Sequence, residues 1–236
     1  MYRVPRSILA AGVVIGCVIA GAAEPPAAMR RGAQGQRQSI DLAQALDAKT
    51  LRVVNREGTK IPERNGVRLL AKSGNGVAWV EGSDFRSGTI EVDIRGKEDM
   101  QQSFVGVAFH RKDGWWWERE AYEAVYLRPF NFRAEDPIRR QHAVQYITLP
   151  AFDYDRLRKD APEEFENPVD PSLVPTDWVT LRVVVEGSKV QIYVGPVKQV
   201  TLEVRKLGQL DGGQVGLWVG NVSGGDFANL VITPKN

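Results

Sequence analysis

Gly88-Thr-Ile-Glu-Val-Asp-Ile-Arg95 carries the cleanest hydrophobic alternation in the chain. Successive side chains of a strand point to opposite faces, so Ile90, Val92 and Ile94 share one face and Thr89, Glu91, Asp93 and Arg95 the other. Such a segment belongs in a sheet with one side on a core and the other in water. The same period returns outward from it. Toward the N-terminus lie Leu51 to Val54, Val67 to Ala71 and Gly76-Val-Ala-Trp-Val-Glu81. Toward the C-terminus, Trp178-Val-Thr-Leu-Arg-Val-Val-Val185 turns through Glu186-Gly-Ser into Lys189-Val-Gln-Ile-Tyr-Val194. Thr201 to Val204, Gly213-Gln-Val-Gly-Leu-Trp-Val-Gly220 and Phe227-Ala-Asn-Leu-Val-Ile-Thr233 follow. About a dozen short strands, bounded by Gly, Asn, Asp and Pro and lacking a propeller or solenoid repeat, predict an all-β fold, a two-sheet antiparallel jelly-roll sandwich.

The chain of 236 residues suits one such domain, and 43% hydrophobic with 25% charged residues excludes a wholly disordered or fibrous chain. Residues 1–23 read as an export signal. Arg3 and Arg6 precede an apolar run from Ser7 to Ala20, and Ala20-Gly-Ala-Ala23 offers small residues for cleavage. The run is shorter than the ~20 apolar residues that a spanning helix needs, which leaves a retained anchor as the lesser alternative. Val14-Ile-Gly-Cys17 also resembles a lipobox, so a lipid anchor at Cys17 is a second alternative. Export to the periplasm or outside is therefore expected. Cys17 is the only cysteine, so a cleaved chain has no disulfide and no thiol chemistry. Without Arg3 and Arg6 the basic residues equal the 29 acidic ones, which removes any charge argument for a nucleic-acid partner. Residues 24–38 read as a flexible leader, and 39–236 as the folded domain. Ser39 to Leu46 fits either a helical turn capped by Ser39 or a first edge segment.

The densest chemistry lies in Tyr122-Glu-Ala-Val-Tyr-Leu-Arg-Pro-Phe-Asn-Phe-Arg133, between the only two histidines. Ser103-Phe-Val-Gly-Val-Ala-Phe-His110 places Val105, Val107 and Phe109 on one face and His110 on the other. Arg111-Lys-Asp-Gly114 then turns the chain. Val125 and Leu127 look core-directed, so Ala124, Tyr126 and Arg128 are expected beside His110, with Glu123 coreward unless a bulge intervenes. His142-Ala-Val-Gln-Tyr-Ile147 returns as a strand. A proline-rich insertion from Pro150 to Pro175, with a short helix over Tyr154 to Lys159, is expected to form the rim of a site.

These residues support several chemistries. A buried Glu123 beside His110 or His142 suits a general base or acid, with Arg128 orienting a substrate; a structural Glu-His or Glu-Arg pair is the alternative. Two histidines and Glu123 also meet a metal-ligand count, but without metal-site spacing. Trp115, Trp116, Trp117, Tyr122, Tyr126 and Tyr146 supply aromatic faces on which sugar C–H groups pack, while Asn131, Arg133 and Gln145 offer hydrogen bonds to hydroxyls. Trp79, Trp178 and Trp218 are expected to pack in the core or on a sheet. Glu91 and Asp93, about 6.6 Å apart along one strand face, have glycosidase-like spacing, yet Arg95 or Gly96 stands where a third acid would complete that motif, so a solvated face is expected.

Gly88-Thr-Ile-Glu-Val-Asp-Ile, the Leu181-to-Val185 and Val190-to-Val194 pair, Gly213-Gln-Val-Gly-Leu-Trp-Val and Gly225-Asp-Phe-Ala-Asn-Leu-Val-Ile together resemble the concanavalin A-like lectin and glucanase superfamily. The match spans roughly residues 39–236, on the laminin G-like, 3-keto-disaccharide hydrolase and glycoside hydrolase family 16-related side. The resemblance implies a carbohydrate ligand, and Tyr122-Glu123, similar to the start of a central strand in 3-keto-disaccharide hydrolase-like proteins, implies a catalytic role for Glu123. A structural calcium at Asp226 or Asn221 is the one cofactor that it suggests. The sequence is thus expected to encode an exported carbohydrate-binding jelly roll, with glycoside hydrolysis open and a protein-interaction or structural module as the alternative.

Overall fold

The computed structural model describes residues 35–112 and 120–235. The expected signal segment, Cys17 and most of the leader lie outside the described residues, as do Trp115, Trp116 and Trp117. The N-terminal third holds β1 (Gln38–Ile40), α1 (Leu42–Asp47), β2 (Leu51–Val54), β3 (Gly58–Ile61), β4 (Gly66–Leu69) and β5 (Gly76–Val80). Next come β6 (Gly88–Arg95), β7 (Val105–Lys112), β8 (Ala121–Leu127), α2 (Pro137–Gln141), β9 (Val144–Leu149), α3 (Tyr154–Asp160) and β10 (Glu166–Asn167). The chain closes with β11 (Val179–Glu186), β12 (Lys189–Val194), β13 (Leu202–Arg205), β14 (Gln214–Val219) and β15 (Gly225–Pro234).

These strands form two antiparallel sheets. The first runs β13-β12-β11-β6-β15-β4-β3, with β1 added beside β15, and the second runs β10-β9-β8-β7-β14-β5-β2. The architecture is the all-β jelly-roll sandwich that the alternation predicts. In β6 and β11 every second residue is buried, and Ile90, Val92, Ile94, Leu181, Val183 and Val185 have almost no exposure. The second sheet contributes Val105, Val107, Phe109, Val125, Leu127 and Leu217 to the same core. The inward face of each strand is thus fixed by its apolar set, since a one-residue slip would exchange the two faces.

All seven residues of β8 are buried, unlike the half-exposed pattern of β6. The second sheet is therefore covered on both sides, and loops and the insertion provide the outer cover. Small residues make room there. Gly106 and Gly216 lie on the outer face, and a Cβ on Gly216 would stand 2.7 Å from the Trp79 ring.

One departure from regular pleating decides the site. Across β14 and β7, Gly216 pairs with Ala108 but Gln214 pairs with Arg111, so β7 holds one extra residue. His110 absorbs it in a left-handed conformation, with φ of 56°. A bulge of this kind reverses the facing of a side chain. His110 consequently joins Phe109 and Glu123 on the inner side, rather than Ala124, Tyr126 and Arg128 on the outer side as the strand parity predicted. At the N-terminus β1 is the edge segment and α1 follows it, with Asp41 rather than Ser39 as the cap, accepting from the Gln44 amide at 2.9 Å.

Candidate functional site

Two polar groups occupy opposite faces of β8 and β9. Inside the sandwich, Glu123 and His110 are both 0% exposed. His110 Nδ1 lies 2.9 Å from Glu123 Oε1 and its Nε2 lies 2.9 Å from the Arg86 carbonyl oxygen. Both ring nitrogens are thus engaged, one by a carboxyl oxygen and the other by a backbone carbonyl. The Tyr146 hydroxyl donates to Glu123 Oε2 at 2.6 Å and accepts from Thr148 Oγ1 at 3.0 Å and the Leu207 amide at 3.1 Å. Lys206 Nζ stands 3.5 Å from Glu123 Oε1. Burial, together with the Glu123 carboxylate, pushes the Tyr146 hydroxyl above its ordinary pKa, so it remains a donor. Phe85 stacks on the His110 ring and seals it.

On the outer face the corresponding group is open. A cleft of about 780 Å³ is lined by residues including Phe104, Tyr126, Trp218, Arg128, Asn131 and His142. β14 and β8 set its floor, where the Tyr126 and Trp218 rings meet at 4.8 Å and a 33° tilt. Phe104 meets the Tyr126 ring edge-on, and the Arg128 guanidinium sits 4.9 Å from the Tyr126 ring centre. Arg128 Nη2 donates to the Tyr126 hydroxyl at 2.8 Å and to Gln145 Oε1, and Nη1 donates to the His142 carbonyl at 2.9 Å. Burial lowers the Arg128 pKa and raises that of Tyr126.

The insertion supplies the wall. Asp153, Tyr154 and Arg158, at or within α3, line the cleft, as do Ile138 and Arg139 of α2. Glu166, on edge strand β10, stands behind them. It accepts from Arg158 Nε and Nη2, each at 2.9 Å, and lies 3.4 Å from both Arg128 Nη1 and His142 Nδ1. Burial of Arg158 opposes its charge, but the bonds that it donates to Glu166 and the charge of that carboxylate outweigh it and raise its pKa. Desolvation lowers the His142 pKa in spite of Glu166. Two buried polar atoms beside this network, Asn131 Oδ1 and Gln145 Nε2, have no partner among the described residues. Asn131 lines the cleft directly, with its Nδ2 bonded to the His142 carbonyl at 3.1 Å.

The expected site residues therefore divide. Tyr126, Arg128, Asn131, His142 and Gln145 gather on the outer face. His110, Glu123 and Tyr146 form the inner group, and Tyr146 faces the core because it pairs with Val125 across the ladder. The proposed aromatic surface thus loses Tyr146, and Tyr122, which accepts from Trp218 Nε1 at 3.3 Å, does not line the cleft. Arg133 turns away, donating to the Pro171 and Ser172 carbonyls of the insertion. Trp79 is buried, and Trp178 lies between the Arg64 and Arg95 guanidiniums at 4.6 and 4.8 Å. Glu91 and Asp93 are on the first sheet's outward face, where Asp93 is held by Thr180 and Asn229. The suggested calcium positions are committed elsewhere: Asp226 receives bonds from Arg68 and Arg95, and Asn221 Oδ1 accepts from the Gly74 amide. Among the described residues no cluster of three His, Cys, Asp or Glu side chains could hold a metal ion.

Arg139, Tyr154, Arg158 and Glu166 escaped the sequence reading, whereas Trp218 packs within the sheet as expected and also borders the cleft. Glu166 sits among three acids in Glu163-Glu-Phe-Glu166, and only the alternation with buried Phe165 singles it out.

No protein-family model matches the sequence, and no curated protein does so significantly. Solved structures match its fold. The chain is similar to carbohydrate-binding module CBM66 from Bacillus subtilis, with a TM-score of 0.53 and 16% identity over 77% of this chain and 93% of that one. A Bacillus subtilis protein of unknown function with a galectin-like fold gives a TM-score of 0.55 and 13% identity over 85% and 96%. The VIP36 exoplasmic/lumenal domain in its Ca2+/Man-bound form gives 0.52 and 11% over 79% and 84%. These likenesses show the fold, a two-sheet antiparallel jelly-roll sandwich.

Proposed function

We propose that the protein is an exported carbohydrate-binding module that holds a glycan in the outer-face cleft of the second sheet without cleaving it. The observation that carries this reading is the floor of the cleft. A tilted Tyr126–Trp218 pair, 2 and 3% exposed, forms an apolar shelf at the bottom of the cleft toward which sugar C–H groups can turn, and the unpartnered, buried Asn131 Oδ1 beside it can accept from a hydroxyl. The carbohydrate-binding neighbours are consistent with it. Export is inferred from the N-terminal apolar run.

Hydrolysis through Glu123 is the second reading, favoured by its contact with His110. Against it, a substrate would have to enter the sandwich to reach a fully buried carboxylate. Glycoside hydrolysis uses two carboxyl groups about 5 to 9.5 Å apart, whereas Asp153 is the single carboxylate among the described cleft-lining residues, with Glu166 tied up by guanidiniums behind it.

The test is a panel of polysaccharides and 3-keto-glycosides offered to the purified protein, scored both for retention and for product release. Retention without product, lost in Trp218→Ala and kept in Glu123→Gln, is the expected result. Product release that disappears in Glu123→Gln would establish the enzyme instead. Retention of a protein partner with no glycan bound would establish the protein-interaction module.

A further inference from the structure

We infer that the cleft selects glycans bearing carboxylates, hexuronate-containing chains, over neutral ones, an inference that rests on the carbohydrate reading above. Three guanidiniums, Arg128, Arg139 and Arg158, line the cleft. Two carboxylates answer them: Asp153 on the wall and Glu166 behind it. Glu166 is already divided between Arg158 and Arg128. Arg139 has no carboxylate partner among the described residues; its guanidinium donates to the Phe130 carbonyl at 3.3 Å. A half-buried guanidinium in that position keeps most of its fork of N–H donors for a ligand, and the planar fork matches a carboxylate two bonds at a time.

The remaining groups distinguish a uronate from a bare anion. Asn131 Oδ1 is an acceptor, which repels a carboxylate but suits a sugar hydroxyl. The Tyr126–Trp218 shelf, 2 and 3% exposed at the bottom of the cleft, is the apolar floor toward which a pyranose ring turns its C–H face. One ring can thus present its face to the shelf, a hydroxyl to Asn131 and its C6 carboxylate to Arg139. Around the mouth, Met100, Ile138 and Tyr154 are 56, 71 and 50% exposed, which provides apolar surface beneath neighbouring residues of a chain.

The experiment is calorimetric titration of the full-length protein with oligogalacturonate, oligoalginate, the carboxyl-reduced neutral form of the former, and a heparin oligosaccharide. A uronate is expected to bind at least about tenfold more tightly than its reduced counterpart, the scale of one charge-assisted fork. That preference should weaken as salt is raised, because the cleft is open to solvent. Arg139→Gln should remove most of it and Arg139→Lys should restore part, both with the thermal midpoint of the parent. Equal affinity for the acidic and reduced chains, or a preference untouched by Arg139→Gln, overturns this inference and leaves the carbohydrate reading standing. Tight heparin binding with neither uronate bound overturns the carboxylate assignment. Binding of none of the acidic or neutral chains defeats both.

Discussion

Glu123 and Glu166 are both almost completely buried carboxylates attached to the same three-strand patch, β8-β9-β10, and they do opposite things. Glu123 faces inward, where His110, Tyr146 and Lys206 close around it and Phe85 shuts the group from solvent. Glu166 faces outward, where Arg128, Arg158 and His142 share it and the same guanidiniums border an open cleft. A strand exchanges faces at every residue, so the chemistry of a motif does not by itself tell whether it serves a ligand or the fold. What separates the two groups is completion. The inner one leaves no oxygen of Glu123 without a partner, whereas the outer one leaves Asn131 Oδ1 and Gln145 Nε2 unmatched.

The largest effect expected from this contrast is on the inner group. Glu123→Ala should cost about 3 to 5 kcal/mol of unfolding free energy, because it leaves the buried His110 ring and the Tyr146 hydroxyl without their partner and Lys206 without its carboxylate; urea denaturation measures it, and the folded fraction should still bind glycan. Arg128→Ala on the outer group should weaken glycan affinity about a hundredfold while costing roughly 2 kcal/mol of stability, since it unseats Tyr126, Gln145 and Glu166 together. If these two phenotypes exchange, the division into prop and site is wrong.

A third carboxylate sharpens the comparison from the first sheet. Burial alone would raise the Asp226 pKa, but Arg68 and Arg95 outweigh it and hold the group below the usual carboxylate range. Its folded value lies under its unfolded value, so its contribution is complete above about pH 4 and disappears as pH falls through the folded value. Asp226→Asn should therefore flatten the acid limb of the stability curve and cost about 2 kcal/mol at neutral pH. The smallest effect belongs to His142. Its pKa is depressed by burial, with Glu166 and Asp136 opposing and Arg158 and Arg128 assisting. Stability should thus decline slightly as pH drops below about 6.5, the unfolded value, and continue to fall through the folded value. His142→Gln should remove that slope without reducing glycan binding by more than about threefold.

Alternation alone was enough to read the sandwich, because each of β6, β11 and β12 buries alternate residues whatever lies beside it. It also placed Glu123 coreward with Val125 and Leu127. His110 was misplaced because one extra residue in β7 is a property of pairing with β8 and β14, although histidine is among the side chains that tolerate positive φ. Tyr126, Arg128, Asn131, His142 and Gln145 were legible as a polar-aromatic cluster. Arg139, Arg158 and Glu166 were not, since only the docking of α2 and the insertion brings them to the cleft, and no periodicity encodes where a loop lands. The Trp115-to-Trp117 run lies outside the described residues.

The most direct test of the whole account is a crystal structure of the protein soaked with a glycan that it retains. The sugar ring should lie over Trp218 and Tyr126 with a hydroxyl on Asn131 Oδ1, leaving Glu123 and His110 sealed behind the sheet. A ring seated against Glu123, or on the outward face of the first sheet by Glu91 and Asp93, would contradict it.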